Sequence, residues 1–141
     1  MGLMIDSSVL IAAERGVLDL PAFFAAHAEE AFFLAAVTAA ELLYGVEVAN
    51  TAKRRALRGA FVEGILTALP VIEYDLPIAR SDARLWAKLT KAGLRIGAYD
   101  QQIAATALTF DHELATLNRG EFERVHGLRL ADMTPFFIKS A

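Results

Sequence analysis

The chain contains no cysteine in its 141 residues, which excludes disulfides, thiolate catalysis and cysteine-based zinc sites together. That absence leaves the redox compartment open. A dominant charge is also missing. Fourteen Lys and Arg stand against 17 Asp and Glu, for a net charge of −3, so any nucleic-acid binding needs a local basic patch rather than a global field. Long apolar runs are absent too. The longest, Ala31 to Val37 with its alanine continuation, is broken by Thr38 and Glu41 and falls short of the roughly 20 residues needed to span a bilayer. The N-terminus has no basic region followed by an apolar one, so no secretory signal and no membrane association are expected, and a cytoplasmic location is the default. There is no internal repeat, low-complexity tract or linker. What is present is a chain 55% apolar, the right size for one domain with a real core and some apolar surface to spare for a partner.

Leu3-Met4-Ile5 predicts a short buried strand that stops at Asp6, and the spacing of Val9, Leu10, Ala12 and Ala13 predicts a helix over 7–15, ended by Gly16. Leu20-Pro21 starts a second helix to about Ala28, and Phe32 to Ala36 is the second strand. Helices are expected over 38–48 and 53–69, the latter with Leu57, Phe61 and Ile65 stacked at a spacing of four. Val71-Ile72-Glu73 is a third strand, 75–91 a long amphipathic helix closed by Gly93, and 100–109 another helix. Leu114-Ala115-Thr116-Leu117 is the fourth strand, Asn118-Arg119-Gly120-Glu121 a polar turn, and Leu128-Arg129-Leu130 a candidate fifth strand. Strands alternating with helices predict one α/β domain over 1–141, with a parallel sheet of four to five strands covered on both faces.

Three acids fall at the strand-to-helix junctions of this scheme: Asp6 after the first strand, Glu41 after the second, and Asp100 at the head of a later helix. Each has a structural explanation alone. Asp6 suits an N-cap accepting from the backbone of Ser8 or Val9. Thr38 and Glu41 fit the Ser/Thr-x-x-Glu capping box, and Asp100 suits the positive end of a helix. In a parallel sheet, however, such junctions share one edge, where ligands bind. Two like charges about 4 Å apart repel by about 4 kcal/mol at an effective dielectric of 20, more than a cap contributes. A hard divalent cation, Mg²⁺ or Mn²⁺, would offset that repulsion.

Asn118 and Glu121 lie in the turn that should face the same edge, and Ser7 and Ser8 are placed to touch a metal-bound water or a phosphate. Gly45 sits inside a helix at a cost of about 1 kcal/mol relative to alanine, which close packing against a neighbouring backbone would explain. Gly97 permits a sharp turn before Asp100. His27, His112 and His126 share no spacing with a nucleophile or metal motif. Basic residues recur as a stripe, Arg80, Arg84, Lys88 and Lys91, and as a cluster, Lys53, Arg54, Arg55 and Arg58, with Arg15 just beyond the first acidic junction. A solvated helix face and an RNA-phosphate contact are both open for them.

Four segments carry a family resemblance: Met4-Ile5-Asp6-Ser7-Ser8-Val9-Leu10-Ile11, Thr38-Ala39-Ala40-Glu41-Leu42-Leu43-Tyr44-Gly45, Ile96-Gly97-Ala98-Tyr99-Asp100-Gln101-Gln102-Ile103-Ala104-Ala105-Thr106-Ala107, and Thr116-Leu117-Asn118-Arg119-Gly120-Glu121-Phe122. In this order they resemble the PIN-domain ribonucleases, most closely the small VapC-type toxins of toxin–antitoxin pairs, over nearly the whole chain. The resemblance implies metal-assisted hydrolysis of an RNA phosphodiester by one or two Mg²⁺ or Mn²⁺ ions, with Asp6, Glu41 and Asp100 as ligands. Glu121 takes the place where the family often has aspartate, and Asn118 the family's polar position. It also implies a homodimer and a small antitoxin that blocks the site. Outside that family, a receiver-type phospho-switch would need paired acids after the first strand and a lysine after the last. A haloacid-dehalogenase-type phosphatase would need Asp-x-Asp where Asp6 is followed by Ser7-Ser8. A non-catalytic binding module would need only the apolar surface.

Overall fold

The computed structural model describes residues 2–139. Four parallel strands, β1 (Gly2–Ile5), β2 (Ala31–Ala35), β3 (Val71–Ile72) and β4 (Glu113–Ala115), form one sheet in the order β3-β2-β1-β4. Pairs of helices make the crossovers: α1 (Ser7–Glu14) and α2 (Leu20–Ala26), then α3 (Ala36–Glu47) and α4 (Ala52–Ala68), then α5 (Leu76–Ala92) and α6 (Ala98–Thr109). A one-turn helix, α7 (Arg119–Phe122), follows β4, and a 3₁₀ turn at Thr134–Phe136 lies near the end. No helix among the described residues is long and apolar enough to cross a membrane.

The alternation of side chains along β1 builds a core on each face. Leu3 and Ile5 join Val9, Leu10, Leu34, Leu42, Val62 and Ile65 on one side. Met4 joins Ile78, Leu85, Leu89, Ile103, Leu114 and Phe122 on the other. A strand covered on both faces must be apolar throughout, which is why the run ends where polar chemistry begins. The chain steps from β1 to β2 to β3 in one direction and then returns to set β4 on the far side of β1. The connections leaving β1 and β4 therefore diverge, and the crevice outside their carboxyl ends is where such sheets bind ligands. A receiver places its first strand between the second and third, whereas here β1 lies between β2 and β4.

Several boundaries differ from the sequence expectation. The candidate fifth strand contributes a single parallel bridge, Leu114 to Leu130, because Gly127 turns the chain in the left-handed region (φ 83°) just before it. The sheet has four strands among the described residues. The polar turn at 118–121 is helical as α7. α3 starts at Ala36 rather than Thr38, with Ala35 as a cap that offers no side chain. That shift overturns the capping box. Thr38 lies within the first turn, fully buried, and its hydroxyl has no partner among the described residues. The buried stripe of α4 runs through Val62 and Ile65, whereas Leu57 is 65% exposed, since residues 52–57 stand clear of the core.

At the opposite edge from the crevice, β1 opens on a glycine with no space beside it. A Cβ at Gly2 would stand 2.6 Å from His112 Cε1, 2.7 Å from His112 Nδ1 and 2.8 Å from Phe33 Cε2. The two rings are stacked, with centroids 4.8 Å apart and planes 7° from parallel, so neither yields without disturbing the other. Gly2→Ala is expected to destabilise the fold by about 1–3 kcal/mol. Thermal unfolding checks this, and an unchanged midpoint would show that the stack yields freely.

Candidate active site

Asp6 follows β1 directly and caps α1, and its backbone N–H donates to Ala115 O at 2.9 Å, continuing the β1–β4 ladder. Its side chain accepts from the N–H of Ser7 at 2.9 Å, not from Ser8 or Val9 as a standard cap would. The other carboxylate oxygen accepts from the hydroxyls of Ser8 and Thr116, both at 2.8 Å. Three donors on a side chain only 4% exposed leave it little freedom.

Glu41 lies in the second turn of α3 and accepts from the Ser7 hydroxyl at 3.4 Å. Burial and the neighbouring Asp6 charge push its pKa up, partly offset by that hydrogen bond. Asp100 is in the first turn of α6, and its Oδ2 accepts from the Asn118 amide at 3.1 Å. Its pKa is pushed up to about 7, first by burial, then by a hydrogen bond with Glu121, and then by the charges of Asp6, Glu121 and Glu41. Glu121 is held low, chiefly by that same bond, and also by Gly97 N–H and the Arg124 charge. The two carboxyls lie close enough that each shifts the other, Asp100 upward and Glu121 downward. Gly97 N–H donates to Glu121 Oε2 at 3.4 Å.

The four acids thus lie within one another's fields at one sheet edge. Even so, among the described residues no group of three His, Asp or Glu side chains is close enough together to hold an ion directly. The donor set is all oxygen, and the mutual repulsion marks an excess of negative charge. Both features suit a hard cation that keeps part of its water shell and touches only one or two carboxylates, as Mg²⁺ does. They do not make a dry protein cage.

Thr116 is the residue the sequence did not single out. Only 1% exposed, its hydroxyl donates to Asp6 and accepts from Asn118 N–H at 3.0 Å, linking the two sides of the crevice. The Ser8 hydroxyl is committed in the same way, to Asp6 and to Leu117 N–H at 3.0 Å. Ser7 stays at the floor of a groove of about 710 Å³ that runs from Glu41 past Ile11, Glu14, Arg15, Tyr44, Gly45, Arg58, Val62 and Tyr99. Gly45 faces that groove. The nearest atom to a Cβ there is Arg58 Cδ at 3.8 Å, so packing against a neighbouring backbone does not explain it.

The basic residues divide. Arg15 lines the groove. Arg58 crosses it to Glu14 at 3.2 Å and to Gly45 O at 2.9 Å, while Arg54 and Arg55 bond Asn50 and Ala49 O at the α3–α4 corner. Arg80, Arg84, Lys88 and Lys91 are exposed along α5, and no hydrogen bond or ion pair among the described residues joins them to the acids. Two of the three histidines are engaged elsewhere: His27 bonds Phe23 O and His112 stacks on Phe33.

Comparison with known proteins gives a consistent set of likenesses. Residues 3–128 match the family model described as PIN domain. Ribonuclease VapC1 of Rickettsia felis is 34% identical over 130 residues, covering 92% of this chain and 95% of that protein. The tRNA(fMet)-specific endonuclease VapC of Salmonella typhimurium is 35% identical over 99 residues, 70% of this chain and 73% of that one. Among solved structures, the DNA-bound VapBC of Salmonella typhimurium superimposes with a TM-score of 0.83 at 29% identity, covering 94% of this chain and 98% of that chain.

Proposed function

The chain belongs to the PIN-domain family and to its VapC branch, and from that premise we propose that it is a metal-dependent endoribonuclease, the toxin of a toxin–antitoxin pair. The observation that carries the chemistry is the set of Asp6, Glu41, Asp100 and Glu121 at the crevice between β1 and β4, buried enough that Glu41 and Asp100 resist ionising. Asp6, Glu41 and Asp100 would hold Mg²⁺ or Mn²⁺, one or two of them directly and the rest through the cation's own waters, with Glu121 and Asn118 completing the set for one ion or two. Bound there, the metal supplies a water acidified enough to attack a phosphodiester and charge to stabilise the leaving oxygen. The protein's own part is positional. Thr116 and Ser8 aim Asp6 and Asn118 aims Asp100, whose raised pKa a bound cation would bring down by favouring the ionised carboxylate.

RNA countercharge falls to Arg15 in the groove, with Ser7 and Ser8 beside the site, and to the exposed Arg80, Arg84 and Lys88 farther out. The groove also suits an antitoxin segment. It is walled by Ile11, Tyr44, Val62 and Tyr99 and ends at acids that a basic side chain would pair with. Exposed apolar side chains on α5, Leu76 and Trp86, favour a homodimer, and sedimentation of the isolated chain as a monomer would remove that part.

The deciding experiment incubates the protein with RNA and Mg²⁺ or Mn²⁺, with and without EDTA and with and without the proposed antitoxin. Cleavage should require the metal and be suppressed by the partner. Metal-independent cleavage, or none, would overturn the mechanism, and unaffected cleavage in the partner arm would overturn the antitoxin.

A further inference from the structure

The helix that presents Asp100 begins without a side-chain cap. Gly97 is its N-cap, and no side chain bonds its first turn as a cap. An uncapped start leaves its N–H groups dependent on neighbours and is prone to fray. Two carboxylates from other elements secure this one. Glu121 accepts from Gly97 N–H, and Asp82 of α5 accepts from the Gln101 amide at 2.7 Å. Asp82 lies on the buried stripe of α5 with Ile78, Leu85 and Leu89 and is 9% exposed. Its second oxygen accepts from the Tyr74 hydroxyl, also at 2.7 Å, and that bond pushes the Tyr74 pKa up to about 12.

Among the described residues no lysine or arginine pairs with Asp82. A buried carboxylate without a countercharge is expensive where only packing is needed, and an apolar residue would hold α5 against α6 at less cost. Two short charge-assisted bonds offset that expense and also fix geometry, which apolar contact does not.

We propose that Asp82 is a positioning residue, tying Gln101 of α6 and Tyr74 of the preceding loop to α5 so that the first turn of α6 holds Asp100 toward the crevice. The functional half of this rests on the nuclease reading above; the clamp itself does not. The test compares the full-length wild type with Asp82→Ala, Asp82→Asn and Gln101→Ala, by amide hydrogen exchange and by steady-state RNA cleavage. In Asp82→Ala and Gln101→Ala, exchange over residues 101–104, the amides that bond back onto the first turn beginning with Gln101 N–H to Gly97 O, should quicken about tenfold while the rest of the chain is unchanged, and kcat should fall about tenfold with KM held. Asp82→Asn should behave as wild type, since the Gln101 amide can turn to accept from the substituted amide while Tyr74 still donates to its oxygen. Gln101→Ala leaves the α5 core and the Asp82–Tyr74 bond intact, so it decides the matter if Asp82→Ala does not fold. Unchanged local exchange in the alanine variants, or an Asp82→Asn as defective as Asp82→Ala, overturns the clamp. A wild type that fails to cleave RNA removes the nuclease reading, while the exchange data still decide whether the clamp exists.

Discussion

Asp100→Asn is expected to reduce RNA cleavage by about a thousandfold or more while making the metal-free protein more heat-stable at pH 8. The two effects have one cause. The Asp100 carboxyl is pushed up to about 7 from an ordinary 3.8, by burial first and then by Glu121, Asp6 and Glu41. The sign follows from linkage. A raised acid favours the fold while it keeps its proton, and that contribution is fully present below about pH 4. It is lost as the pH climbs to about 7, because the unfolded chain ionises freely and the folded chain does not. Asparagine never ionises, so the variant escapes the loss. The difference in melting temperature between variant and wild type should be near zero at pH 4 and grow to a few degrees by pH 8. Adding Mn²⁺ at pH 8 should stabilise the wild type and leave the variant nearly unmoved. Melting curves at the two pH values check this, and a variant no more stable at pH 8 than at pH 4, relative to wild type, would show that the repulsion is already relieved without a cation.

The acids were legible in the sequence because topology does the gathering. Once Leu3-Met4-Ile5 reads as a two-sided strand, Asp6 must stand at its carboxyl end, and the helix after the second strand puts Glu41 on the same edge, whereas Asp100 heads α6, which follows α5 and not a strand, so alternation alone did not place it. The helix starts themselves were misplaced by two residues for a physical reason. α3 and α6 begin at Ala36 and Ala98 behind Ala35 and Gly97, which carry no capping side chain, so the first recognisable signals, Thr38 and Asp100, lie inside the helices. Asp82 was hidden differently. It sits on an otherwise apolar helix face, and only contacts from Tyr74 and Gln101, distant in sequence, give it a role. The fifth strand was legible as a strand-like composition, but Leu128 to Leu130 follows Gly127 too closely to form more than one bridge.

Thr116 looked like one more strand residue, yet its hydroxyl stands where both halves of the crevice meet. It donates to Asp6 Oδ2 and accepts from Asn118 N–H, and the Asn118 side chain in turn holds Asp100. Valine would fill the same buried space without the hydroxyl. Asp6 would keep only Ser7 and Ser8 as donors, and the Asn118 N–H would lose its acceptor, each bond contributing about 0.5–1.5 kcal/mol. Thr116→Val is therefore expected to reduce kcat/KM for RNA by about 10–100-fold and to weaken Mn²⁺ binding in step, the scale for groups that orient a metal's ligands. Thr116→Ser keeps the hydroxyl and should lie close to wild type in both measurements, because the missing methyl affects packing and not the hydrogen bonds. Cleavage and Mn²⁺ titration of the two variants together separate the roles. A Thr116→Val protein that cleaves and binds metal as wild type does would mean that Ser7 and Ser8 alone fix Asp6. If Thr116→Ser fails as badly as Thr116→Val, the methyl's packing between β1 and β4 is what matters.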